Sequence, residues 1–132
     1  GGVLGLTLDN TTPAHLARAA IEGVLCGLAD ALDALAAQGA HITRVRLVGG
    51  AAASPAVQQI APMVLGVPVE VPPPSEYVAD GAARQAAWAL TGDLPTWPLD
   101  APSTIVEAPA TANVRERYAE ARDHWLRREQ VK

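Results

Sequence analysis

The residues with the clearest capacity for binding chemistry form one turn: Gly49 and Gly50, three alanines, and Ser54. A glycine turn between a strand end and a helix start lets backbone amides approach a flat ring or an anion closely. The spacing is neither the G-x-G-x-x-G dinucleotide fingerprint nor a P-loop. The turn therefore indicates either a nucleotide-like ligand or a tight connection that needs glycine for conformation alone.

No other group of side chains predicts chemistry. The chain has three histidines without the spacing of metal ligands, His15, His41 and His124. Cys26 is the only cysteine, which excludes a disulfide framework and a Cys-rich metal site. Asp9 fits a turn, and Asp80 suits the positive end of a helix dipole. We predict a binding turn and no catalytic or metal-ligating residue.

The glycine turn belongs to a predicted β-α-β unit over residues 44–71. An apolar strand precedes it, and Ser54 and Pro55 are typical of a helix start. Apolar residues at helical spacing then end at Gly66, and a second strand covers residues 68–71. Strands that alternate with helices predict an α/β layer with parallel pairing.

Further elements flank this unit. Residues 1–8 are expected to form a strand or an extended lead-in, followed by a long amphipathic helix that ends near Gln38. A third helix, residues 76–90, has a face of small residues that we expect to pack against the sheet. Residues 93–112 contain four prolines and no periodicity, which favours a linker or wrapping segment. Asn113 would cap a charged last helix, which we expect to be a solvated appendage, although Tyr118, Ala121 and Trp125 could form a docking stripe on it.

Composition narrows the class of protein. The chain has 132 residues and is 49% hydrophobic, enough for one domain with a tail. Its net charge of −4 argues against nonspecific nucleic-acid binding. No apolar segment is long enough to span a membrane, and the lone thiol fits a cytoplasmic protein. Because the sole methionine is Met63 and only two strands are clear, we expect a piece of a longer polypeptide with an incomplete sheet.

The order of several short segments resembles the C-terminal part of the FGGY carbohydrate kinases, and most closely their xylulokinase branch. The matching segments are Gly5-Leu6-Thr7, Leu16-Ala17-Arg18-Ala19, Glu22-Gly23, Leu47-Val48-Gly49-Gly50, Ser54, Leu65-Gly66-Val67-Pro68-Val69 and Gly81-Ala82-Ala83, and the resemblance returns at Arg117-Tyr118 in the last helix. The resemblance implies part of a ribonuclease H-like, actin-like ATPase domain. It also implies a nucleotide-binding C-terminal domain over residues 1–92, incomplete here, followed by a Pro-rich segment and helix over residues 93–132.

The same resemblance implies an adenosine site. Gly49, Gly50 and Ala51 would lie against the adenine, and Ser54 would make a polar contact. ATP and Mg²⁺ would be the cofactors, while an N-terminal domain would hold the sugar and the catalytic base. No contact to Mg²⁺ is expected from these residues, and the isolated chain should be inactive. Relatives often carry glycine, a basic residue and tryptophan where this chain has Ala51, Ala53 and Val57.

Three functions are compatible with the sequence. The first is the ATP-binding part of a kinase that converts D-xylulose to D-xylulose 5-phosphate. The second is a kinase of the same family for another substrate, such as glycerol, ribulose or gluconate. The third is a non-catalytic interaction module that forms homo-oligomers, because an incomplete sheet leaves backbone groups free to pair with another chain.

Overall fold

The computed structural model describes residues 2–98 and 101–129, where four helices and three short strands occur. The helices are α1 (Pro13–Ala37), α2 (Pro55–Leu65), α3 (Tyr77–Thr91) and α4 (Ala112–Glu129). The strands are β1 (Val45–Arg46), β2 (Val69–Val71) and β3 (Thr104–Val106). A 3-10 turn, Gly50–Ala53, connects β1 to α2.

Side-chain caps determine where the first two helices begin, as the sequence predicts. The Thr12 hydroxyl accepts a hydrogen bond from the His15 amide at 3.3 Å, and α1 begins at Pro13, the residue after Thr12. The Ser54 hydroxyl accepts from the Val57 amide at 3.5 Å at the start of α2. Gly66 ends α2 with a φ of 72°, a left-handed conformation that favours glycine. The helix of the β-α-β unit is therefore confirmed.

The sheet is mixed, in the order β1-β2-β3. β1 and β2 pair in parallel, with Val45 opposite Val69, which confirms the predicted parallel pairing. β3 pairs antiparallel to β2, with Ile105 opposite Glu70. Residues 104–106 are therefore a strand, and the interpretation of residues 93–112 as a linker is wrong there. Three residues between prolines are too few to show the alternation that identifies a strand.

The core lies where α1 crosses α2 and where α2 covers β2. Its buried hydrophobic members are Leu25, Cys26, Ala29, Ile60, Ala61, Val64, Leu65 and Val69. The opposite side of α1 stays open, with exposed apolar residues at Leu16, Val24, Leu28 and Leu35. The accessible surface of 9559 Å² exceeds the roughly 6,600 Å² typical of a compact monomer of this mass. Much apolar surface is thus left uncovered.

Helix α4 is docked rather than a solvated appendage, which corrects that prediction. Val114 and Tyr118 pack against the core. Arg122 pairs with Asp30 of α1 at 2.6 Å, and Arg115 pairs with Asp33 of the same helix. The charged face of α4 therefore meets an acidic face of α1.

The predicted N-cap of α4 is also displaced. The helix begins at Ala112, and the Val114 amide donates to the carbonyl of Thr111. Asn113 therefore lies inside the first turn, and its interpretation as the cap is wrong. The amide of Thr111 in turn donates to the Met63 carbonyl at 2.8 Å, which ties the start of α4 to α2.

The predicted packing of α3 on the sheet is wrong. No residue of α3 is buried, and α3 makes little contact with the other elements, so its small face does not pack on the sheet. Alanine side chains bury little apolar area, which gives such a face little driving force. Of the two alternatives expected for residues 1–8, a strand or an extended lead-in, no strand forms within the described residues 2–8, and residues 2–6 line a groove with α1 and α4. Residue 1 lies outside the described residues. Among the described helices, none is long and apolar enough to cross a membrane.

Candidate functional site

The turn between β1 and α2 has a backbone that only glycine adopts easily. Gly49 has φ 94° and ψ −179°, a region that strains any residue with a Cβ. The Ala52 amide donates to the Gly49 carbonyl at 3.0 Å, and the Ser54 amide donates to the Ala51 carbonyl at 3.1 Å. These bonds close one 3-10 turn. The four predicted site residues, Gly49, Gly50, Ala51 and Ser54, therefore lie together on one short loop.

The outer side of this turn is open. Gly49, Gly50 and Ala51 are exposed, and Ser54 is partly buried. A Cβ added at Gly49 or Gly50 would meet no atom within 4 Å. The amides of Gly50 and Ala51 precede the first hydrogen-bonded amide of the turn, so the helical pattern gives them no acceptor. A flat or anionic group could thus approach these amides without meeting a side chain.

The inner side of the turn is held by Gln58, which the sequence reasoning missed. Its side-chain amide donates to the Ala52 carbonyl at 2.7 Å. Its backbone amide donates to the Ser54 carbonyl at 3.0 Å, within the first turn of α2. The signal available in the sequence was a glutamine one helical turn after a capping serine, which can reach back to the preceding loop.

Glu70 anchors the strand that leads into the turn, and it too escaped the sequence reasoning. Its side chain is buried on β2, where Arg44 approaches at 3.3 Å and Arg46 at 3.0 Å. A hydrogen bond from the Ser103 side chain lowers the pKa of the Glu70 carboxyl below its ordinary value of 4.5, and a hydrogen bond from Arg46 lowers it further. The carboxylate therefore links β1 to β2 and to the segment entering β3.

Replacing Glu70 by glutamine should change how stability depends on pH. Because the folded-state pKa is lowered, the anion stabilises the fold above pH 4.5, and this contribution is lost as the pH falls through the folded pKa. We expect Glu70→Gln to be less stable at neutral pH. Between about pH 5 and pH 3 its free energy of unfolding should fall less than that of the parent chain.

Urea denaturation at a series of pH values measures this difference. Glu107→Gln, at an exposed glutamate just after β3, is the control and should follow the parent curve. Parallel curves for Glu70→Gln and the parent chain would contradict the role given to the buried carboxylate.

The remaining candidate residues do not join the turn. Asp9 lies in a turn before α1, and Asp80 lies in the first turn of α3, where the Ser75 hydroxyl donates to it at 3.2 Å. His15 serves the cap of α1 through a 2.8 Å contact with Thr12. Cys26 is buried in the core, and this burial raises the pKa of its thiol. Within residues 2–98 and 101–129, no cluster of three or more acidic, His or Cys side chains could hold a metal ion.

Comparison with known proteins decides the family. The profile of the C-terminal domain of the FGGY family of carbohydrate kinases matches residues 1–90, about two thirds of the chain. The chain belongs to the FGGY family of carbohydrate kinases. The matched range includes α1, the β-α-β unit and the whole glycine turn.

Curated relatives in this family carry two names. A glycerol kinase from Koribacter versatilis is 41% identical over 68% of this chain and 18% of that protein. A glycerol kinase from Trichlorobacter lovleyi is 37% identical over 96% of this chain and 26% of that protein. A xylulose kinase from Streptomyces coelicolor is 40% identical over 70% of this chain and 19% of that protein. This chain thus spans about a fifth to a quarter of the length of these relatives.

A solved structure is similar over most of the chain. The crystal structure of xylulose kinase from Bifidobacterium adolescentis superposes with a TM-score of 0.69 and 48% sequence identity. The match covers 89% of this chain and 24% of the xylulose kinase chain. At this identity the likeness extends beyond the fold to the family.

Proposed function

We propose that this chain is the C-terminal, ATP-binding part of a sugar kinase that phosphorylates D-xylulose. The glycine turn would hold the adenosine, with Gly49, Gly50 and Ala51 against the adenine and Ser54 in a polar contact. The open outer side of the turn and its free amides support this assignment, since a planar ring needs close approach to the backbone. Within a complete ribonuclease H-like domain, this turn would form the adenine end of the ATP site.

The remaining parts of the reaction belong outside these residues. Mg²⁺ would supply charge neutralisation at the transferred phosphoryl group when bound. We assign it no ligand here, because no described cluster of acidic residues accompanies the turn. The sugar and the catalytic base would lie in an N-terminal domain. We therefore expect the 132-residue chain to bind nucleotide and to show no kinase turnover by itself.

The identity to a xylulose kinase carries the choice of substrate. The solved xylulose kinase shares 48% of its aligned residues with this chain, while the curated relatives do not separate the two names, with 41% and 37% for the glycerol kinases and 40% for the Streptomyces coelicolor xylulose kinase. The glycerol kinase names favour a second candidate, a glycerol kinase of the same family.

The two candidates are separated by assaying the full-length protein that contains this chain. With Mg-ATP, D-xylulose should be phosphorylated with a kcat/KM at least about tenfold above that for glycerol, a difference of about 1.4 kcal/mol in transition-state binding. A preference for glycerol would replace the first candidate by the second. Turnover by the 132-residue chain alone would overturn the assignment of the base to another domain.

A non-catalytic interaction module is the remaining alternative, and one observation favours it. The free edge of β1 has no neighbouring strand among the described residues, and the outer face of α1 is apolar and exposed. Both features could pair with a second copy of the chain. Analytical ultracentrifugation tests this: a concentration-dependent dimer would support the module, and a monomer at high concentration would exclude it.

A further inference from the structure

We infer that Gln58 is a positioning residue for the nucleotide turn, an inference that rests on the proposed function. Among the described residues outside the turn, Gln58 is the one whose side chain hydrogen-bonds a backbone group of residues 49–53. The donor is the side-chain Nε2 and the acceptor is the Ala52 carbonyl, 2.7 Å away. This distance lies at the short end of the range for an N–H···O bond.

Gln58 is itself held in place by the first turn of α2. Gln58 lies one turn into α2, where its backbone amide is bonded to the Ser54 carbonyl, and Ser54 caps the same helix. Both Gln58 and Ala52 are partly buried, while Ala51 and Ala53 on either side are exposed. The side chain therefore holds the turn from the protein side and leaves the outer side free for a ligand.

The bond fixes the orientation of the peptides that face the ligand. With the Ala52 carbonyl held, we expect the 3-10 turn to keep its hydrogen bond from the Ala52 amide to the Gly49 carbonyl, and with it the geometry of the Gly50 and Ala51 amides that precede this bond. Without this bond the short turn depends on its own backbone hydrogen bonds, among them Ala52 to Gly49 and Ser54 to Ala51, to keep its shape. Pre-forming a binding loop increases affinity because less conformational freedom is lost on binding.

The test compares two neighbouring glutamines of α2. Gln58→Leu removes the donor and leaves an apolar side chain that is one atom shorter, and Gln59→Leu makes the same change at an exposed position that no described contact uses. We expect Gln58→Leu to weaken the affinity of the chain for Mg-ATP by about 3- to 10-fold, the range expected for one neutral hydrogen bond. Gln59→Leu should bind as the parent does.

A second variant and a second measurement exclude a general loss of stability. Gln58→Glu places a carboxylate against the Ala52 carbonyl and should weaken binding more than Gln58→Leu does. Amide hydrogen exchange should accelerate at Ala52 and Ser54, whose amides are bonded within the turn, in both Gln58 variants. The thermal midpoint should fall by no more than about 5 °C, the shift expected for the loss of one neutral hydrogen bond in a domain of this size.

The outcomes separate this inference from the proposed function. If the parent chain binds Mg-ATP and Gln58→Leu binds equally well with unchanged exchange at the turn, the positioning role is wrong and the nucleotide site stands. If the parent chain shows no saturable binding, the nucleotide site itself fails and the positioning role fails with it.

Discussion

Replacing Gly50 by leucine is expected to weaken the binding of Mg-ATP by about 100-fold or more while leaving the fold intact. A Cβ at Gly50 meets no atom within 4 Å, and Gly50 is not among the residues with positive φ. The leucine side chain would therefore extend without a clash into the space where the adenine should lie. Forcing extra methylene groups into a filled contact costs about 1–3 kcal/mol, and more when the ligand cannot shift.

The control for this variant is a second glycine on an open surface. Gly81→Leu, in α3, also adds its Cβ where nothing lies within 4 Å and requires no positive φ. Calorimetric titration should show loss of binding for Gly50→Leu alone, with both variants as stable as the parent. Equal affinity of Gly50→Leu and the parent for Mg-ATP would place the nucleotide elsewhere.

Leu25→Ala should cause the largest loss of stability among simple core substitutions. Leu25 is 2% exposed at the contact between α1 and α2, in a core that holds eight buried hydrophobic residues among those that the structure describes. Truncating a buried leucine to alanine lowers the free energy of unfolding by about 2–5 kcal/mol, because the variant loses the transfer free energy of the removed groups and is left with a cavity. A chain with such a small core has little stability to lose. We therefore expect the variant to be partly unfolded at room temperature.

Leu28→Ala is the matched control on the same helix. Leu28 is 50% exposed and lies on the uncovered side of α1, so its truncation should change the free energy of unfolding by less than about 1 kcal/mol. Urea denaturation followed by circular dichroism measures both variants. Equal losses would show that the uncovered side of α1 is buried in solution, by self-association or by another segment.

The sequence predicted the local structure well where short-range signals decide it. Thr12 and Ser54 cap α1 and α2, and Gly66 ends α2 in a left-handed conformation, as these residue types and positions indicate. The site residues were found together because they are contiguous, so the turn needed no tertiary information. Their role in binding adenosine stays a prediction.

The features that the sequence did not reveal depend on contacts between distant segments. β3 becomes a strand because β2 offers it an edge, and its three residues show no pattern of their own. The arginines of α4 suggested a solvated helix, yet Arg122 meets Asp30, 92 residues earlier in the chain. Glu70 likewise forms ion pairs with Arg44, just before β1, and with Arg46 on β1, which lie more than twenty residues earlier in the chain. No periodicity specifies such pairings.

The most direct test of the nucleotide site is a titration of the isotope-labelled chain with Mg-ATP, followed by amide chemical shifts. We expect saturable changes at Gly49, Gly50, Ala51 and Ser54, with smaller changes at the start of α2 and none in α4. Changes centred on the groove between α1 and α4, or the absence of saturable changes at the turn, would contradict it.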